Sequence, residues 1–189
     1  MQYGAQANSS GEIISFLQWP ESKLPAGYVA ISATEYSALD AAGGMGWTLI
    51  NGVLTPPAAP TAAQLLAAAQ AAQGAVLAAA CAAAIVSGFT SSALGGVYTY
   101  PSKPNDQSNL IGAEAASRNP ANPSTWTIPF WCADSTGAWA LRAHTAEQIQ
   151  QVLTDGVTAR VALSQKLAGL AAQVQAATTV SGVQAIVWS

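Results

Sequence analysis

The side chains of this 189-residue chain that could carry acid–base or nucleophilic chemistry are few and scattered. There is one histidine, His144, two cysteines, Cys81 and Cys132, and nine carboxylates. A serine hydrolase needs its nucleophile on a sharp strand-to-helix turn, and no Gly-x-Ser-x-Gly pattern occurs. A cysteine nucleophile needs an adjacent base. Cys132 and His144 are the one pair that a hairpin could bring together, and proximity across a hairpin is all that recommends them. His144 directly precedes a helix cap at Thr145, where a lone histidine reads as a structural residue. Metal sites require clustered His, Cys, Asp or Glu, and nothing here has ligand spacing. Paired carboxylates for glycoside hydrolysis would have to be assembled from distant positions such as Asp106 with Glu114 or Asp134 with Glu147. The Gly pairs at 43–44 and 95–96 lack the context of a phosphate-binding loop. The expectation is a protein with no catalytic residues, no metal and no cofactor.

Charge narrows the partners. Charged residues make up only 8%, the net charge is −3, and the six Lys and Arg never cluster. Nucleic acid would require a basic stripe, and anionic lipid a polybasic segment. No charged residue occurs from Ala41 to Ser102. A surface so poor in charge reads either as one covered by protein partners or as that of a small domain kept soluble by Gln, Ser, Thr and Asn. Residues 62–89 are apolar enough to raise the question of a membrane span. Their apolar content is mostly Ala, Gln64, Gln70 and Gln73 interrupt them, and no Lys or Arg flanks them closely, so a packed helix is expected and membrane insertion is not. The start, MQYGAQANSSGE, lacks the basic and apolar regions of a signal peptide, which predicts synthesis in a cytosol with both thiols reduced.

Local patterns place these residues on an α+β fold. Ile13–Leu17 and Tyr28–Ile31 read as strands, and Ser32–Leu39 as a short helix capped by Ser32 or Thr34. Trp47–Ile50 and Val53–Thr55 read as a hairpin about Asn51-Gly52, the strongest short hairpin signal. Residues 1–55 therefore form a small β-rich module, and 56–61 a Pro-rich linker. Residues 62–189 form an Ala-rich helical domain with inserted hairpins. Its first helix opens on the capping box Thr61–Gln64 and stops at Gly88. Val97–Tyr100 is a strand, Pro101–Gln107 a loop, and Ser108–Ala116 a helix. Trp126–Ala133 and Ala138–Ala143 pair about the turn Asp134–Gly137, with Trp126, Ile128, Phe130 and Cys132 on one face by period two. Pro129 marks an edge or a bulge there. Thr145–Gln148 is a second capping box. It opens the longest helix, whose apolar stripe runs Ile149, Val152, Gly156, Ala159, Leu163, Leu167, Leu170 and Val174. Leu153, Val157 and Val161 widen that stripe, which needs another helix against it, from this chain or a neighbouring copy. Val180–Trp188 closes the chain, with Trp188 expected to dock on the core.

The remaining candidates for a site are aromatic. Tyr98, Tyr100, Trp126, Trp131 and Trp139 gather about the two hairpins. Such residues build cores, anchor protein interfaces and stack on sugars, and all three uses stay open for these five.

Several runs together resemble a known family. The helix ending IVSGF, then GGVYTY, DQSNLIGA, the Trp-rich hairpin with its DSTG turn, HTAEQIQQV and the closing AATTVSGVQAIVW resemble a domain of unknown function common in phage tail proteins. LPAGYVAIS, TEY and LINGVL before the Pro run look like the N-terminal region of tail-fibre assembly proteins. The resemblance implies a structural protein of the virion tail, made in the host cytoplasm. It would be associated with the tail fibre or baseplate and contact other tail proteins as a homo-oligomer or in a symmetric assembly. A fibre-assembly chaperone absent from the virion, and a receptor- or glycan-binding module, are the alternatives.

Overall fold

The structure is a computed structural model that describes every residue from Met1 to Ser189. The chain is α+β and divides into two compact units, Met1–Thr61 and Ala62–Ser189.

The first unit holds a three-stranded antiparallel sheet in the order β2-β1-β3, from β1 (Gln2–Ala7), β2 (Ile13–Trp19) and β3 (Val29–Ile31). The central strand is β1, which carries no strand signal. Gly4 sits there because a Cβ would fall 3.0 Å from the Leu24 side chain. Helix α1 (Ala33–Ala41) opens on Ser32, whose hydroxyl accepts from the Glu35 N–H while the Glu35 carboxylate accepts from the Ser32 N–H. Those bonds hold the Glu35 carboxyl below its ordinary pKa. Strands β4 (Thr48–Ile50) and β5 (Val53–Thr55) pair across Asn51-Gly52, both at positive φ as the tight turn requires. Ala5, Leu39 and Leu49 form the small core.

The second unit is built on two long antiparallel helices, α2 (Ala62–Val86) and α4 (Ala146–Ala176). Ala69 packs in this contact, and the Cys81 thiol lies 3.7 Å from the Leu163 carbonyl of α4. Leu77 and Val174 pack there with Val183 of α5 (Val180–Gln184), which Thr179 caps. The glutamines of α2 fasten this contact. Gln70 Nε2 donates to the carbonyls of Val174, Gln175 and Ala177 at 3.2–3.3 Å, satisfying acceptors that the end of α4 leaves unpaired. Gln73 Nε2 donates to the Ile186 carbonyl at 2.6 Å. Trp188 is partly buried on this core, with Lys166 Nζ 4.7 Å from its ring centre. Of the expected wide stripe on α4, Leu153 packs inward, whereas Val157 and Val161 are exposed.

Between the long helices in sequence lies a four-stranded antiparallel sheet, β6-β7-β8-β9, made of β6 (Phe89–Ser91), β7 (Tyr98–Tyr100), β8 (Thr127–Ala133) and β9 (Trp139–Thr145). Strand β6 has no sequence signal of its own, lying directly behind the helix stop. Gly88 is required at φ 113°, where a Cβ would strike the Tyr100 carbonyl at 2.7 Å. Helix α3 (Pro104–Ser117) starts four residues before the expected Ser108. Pro104 takes the first helical position, where its missing N–H is no loss, and Asp106 accepts from the Lys103 N–H at 3.0 Å. Pro129 behaves as on an edge: β8 pairs with β9 along its whole length, but with β7 only at Thr99–Ala133.

Helical glycines in this unit differ in what surrounds them. A Cβ on Gly156 would fall 2.8 Å from the Phe89 ring, while one on Gly169 meets nothing within 4 Å. Gly156→Ala is expected to destabilise the unit by about 1–3 kcal/mol through overpacking. Gly169→Ala should stabilise it by up to about 1 kcal/mol through helix propensity. Urea unfolding of the two variants tests this, and equal shifts of either sign would refute it.

Candidate interaction surface

The hairpin of β8 and β9 has two chemically different faces. Inward, Phe130 and Cys132 of β8 and His144 of β9 join Tyr100, Leu110, Ile149 and Val152 in the core. Outward, Trp131 pairs directly with Leu141, and Trp139 stands two residues further along the same face. All three are about half exposed.

The inward face is organised by His144, which has no exposed surface. Its Nδ1 lies 2.8 Å from the Arg142 carbonyl, which can only accept, so Nδ1 carries the proton. Nε2, 2.8 Å from Tyr100 Oη, then accepts from the phenol. Burial lowers the His144 pKa, partly offset by the bond to the Arg142 carbonyl. Burial likewise raises that of Tyr100, with the Cys132 thiol adding to it. The Cys132–His144 pair that a hairpin could have brought together is not formed. Both ring nitrogens are taken by other groups, and Cys132 is fully buried, its sulfur 3.8 Å from Arg142 Nη1. No three His, Cys, Asp or Glu side chains gather closely enough to hold a metal.

The outward face is held by its turn. Asp134 Oδ1 accepts from the Thr136 N–H and hydroxyl and from the Ala138 N–H, and Oδ2 accepts from Arg142 Nη2 at 2.8 Å. These bonds, those of Thr136 foremost, keep the Asp134 carboxyl below its ordinary pKa. Arg142 also donates to the Cys132 carbonyl and lies over the Tyr98 ring at 5.1 Å. The position of Trp139, next to this turn, is thereby fixed.

Of the five aromatic candidates, the structure brings only Trp131 and Trp139 to the surface. Tyr100 is a correction: it is wholly buried, stacked on Phe89 at 5.6 Å, and cannot meet a partner. Tyr98 and Trp126 pack partly buried against the same core. Residues not anticipated complete the surface. A groove of about 410 Å³ is walled by Trp131 and Trp139, with Lys103 and Asp106 at the start of α3 and Val86 at the end of α2. From Val86 an apolar strip runs back along α2 through Ala82, Ala79, Ala75, Ala72 and Ala68 to Leu65, alternating steps of four and three, every one exposed. That heptad spacing was the available signal. The helix has no charged residue and is long and apolar enough to cross a membrane by length and composition.

Residues 68–187 match the model of a family described as a domain of unknown function (DUF4376). The chain belongs to this family. No curated protein and no solved structure matches it. The DUF4376 region contains most of the strip, both tryptophans of the groove and the buried Tyr100–His144 pair.

Because the folded-state pKa of His144 lies below the ordinary 6.5, the folded chain resists a proton that the unfolded chain accepts. The stability contributed by the neutral ring is thus present above about pH 6.5 and is lost as pH falls below it, at no more than about 1.4 kcal/mol per pH unit for one proton. Denaturant midpoints at pH 7.5, 6.0 and 5.0 should fall in that order. His144→Gln, which keeps an acceptor for Tyr100 and does not titrate, should flatten the series. Tyr100→Phe should cost about 1–3 kcal/mol at pH 7.5, leaving Nε2 buried without a donor. A wild-type midpoint constant from pH 7.5 to 5.0 would contradict the assignment.

Proposed function

We propose that this protein is a structural component of a bacteriophage tail, associated with the fibre or baseplate. It works through contacts with other tail proteins in a symmetric assembly, without catalysing a reaction. The observation that carries the contact role is the uncharged apolar strip of α2, running from Leu65 to Val86 and ending at the groove of Trp131 and Trp139. Monomeric soluble proteins rarely leave so extended an apolar surface uncovered, and interfaces concentrate tryptophan at their centres. The place of that contact, the tail, rests on the resemblance of the IVSGF, GGVYTY and HTAEQIQQV runs to phage tail proteins. A protein contact fits α2 better than a bilayer. Its other face packs on α4 and α5, and Gln70 and Gln73 there are committed to backbone carbonyls of those elements.

Mass spectrometry of purified virions, with copy number, is the test. The protein is expected at a multiple of three or six, the numbers closed tail symmetry allows. Val76→Glu, which adds a charge beside the strip at an exposed site, should leave stability within about 0.5 kcal/mol and abolish incorporation. A protein absent from virions but bound to fibres in lysate would replace this reading with a chaperone. Recovery with floated membranes would replace it with insertion of α2.

A further inference from the structure

A cleft between α3 and α4, of about 170 Å³, has a chemistry that the strip and the tryptophan groove lack. Its walls are apolar: Leu110 from α3, Leu153 and Val157 from α4, and Phe89 from β6. Gly156 sets its shape, since the missing Cβ lets the Phe89 ring lie against the helix backbone. One charge stands among these walls, the Arg160 guanidinium, one turn beyond Gly156. It has no acidic partner: the two ion pairs of the chain use Arg118 and Arg142. Its Nη1 donates instead to the neutral Gln107 Oε1 at 2.6 Å, and Gln107 Nε2 donates to the carbonyl of the buried Ser102 at 2.8 Å. Gln107 is thus anchored and aims the guanidinium without neutralising it.

We propose that this cleft binds an apolar monocarboxylate, its aliphatic branch or single aromatic ring inserted between α3 and α4 and its carboxylate paired with Arg160. The size supports one such group, since an apolar cavity of about 150 Å³ accepts benzene. The charge selects the head: a carboxylate matches the planar fork of a guanidinium, an amine is repelled, and a neutral amide gains no ion pair. A free short-chain acid and the C-terminal Leu or Phe of a polypeptide present the same chemistry. The site goes beyond the assembly role: it shares no residue with the strip, and of its lining only Ser102 also borders the tryptophan groove.

The full ¹⁵N-labelled chain is titrated with 4-methylpentanoate and with its amide, following backbone resonances. The acid is expected to shift Gly156, Val157 and Leu110 and to bind about tenfold tighter than the amide. Arg160→Gln, at an exposed position, should bring the acid down to the affinity of the amide. Leu153→Trp, which fills the cleft, should remove both. N-acetyl-Gly-Leu distinguishes the sources: tighter binding than 4-methylpentanoate assigns the site to a chain terminus, and weaker binding to a free acid. Equal affinity of acid and amide for the wild-type chain, or shifts confined to residues outside the cleft, would overturn the proposal.

Discussion

The hydrogen bond from Tyr100 Oη to His144 Nε2 is the constraint on which the second unit turns. Both residues are without exposed surface, so neither can exchange its partner for water. The other ring nitrogen is committed to the Arg142 carbonyl, which leaves Nε2 only the role of acceptor. The bond ties β7 to β9, with β8 between them, inside a cluster of Phe89, Tyr100, Phe130 and His144 rings. Its consequence is felt on the far side of the sheet. Side chains alternate along a strand, so fixing His144 inward fixes Leu141 and, through the pairing, Trp131 outward. A slip of one residue would bury Trp131 and expose Phe130 and Cys132. The buried polar pair specifies register, and register places the apolar surface.

The long helices obey a different constraint, the small size of alanine. A face of Ala cannot bury much area per residue, but it lets backbones approach closely. On the inner side of α2, Gln70 and Gln73 reach carbonyls at the end of α4 and behind α5. Polar residues that interrupt the apolar pattern in sequence are therefore fasteners in the structure. The alanines of the outer side leave a smooth strip with nothing from the chain against it. Only Leu65 and Val86 rise above Ala along its length.

The legibility of the fold followed the strength of local signals. Asn51-Gly52, Ser32 with Glu35, and Thr145 with Gln148 each satisfy backbone groups within four residues, and the structure shows all three. Strand β1 escaped notice because Gly4, Ala5 and two glutamines have little strand preference, and its place at the centre of the sheet is set by strands that come later. The start of α3 was obscured by Pro104, which looks like loop but fits a first helical turn. The site divided along the same line. Period two on β8 put Phe130 and Cys132 on the inner face, leaving Trp131 on the other. Tyr100 was not separable from the exposed aromatics, because its burial depends on His144, 44 residues away. Val86 joined the groove for a similar reason: only the fold brings the end of α2 to the hairpin.

The contrast between the strip and its end has a physical logic. A heptad stripe of Leu on an uncharged helix would drive free chains together indiscriminately, since area removed from water rewards any partner. Ala reduces that drive per residue, and its attraction becomes appreciable only where a partner matches the surface along many turns. Tryptophan does the reverse: Trp131 and Trp139 offer large area at one point, enough to anchor an orientation but not to bury the strip. A partner of the proposed kind would be elongated and would reach the start of α3, where Lys103 and Asp106 flank the groove. Selectivity then comes from length and shape rather than from charge. That is the one route open to a segment from Ala41 to Ser102 that carries no charge at all.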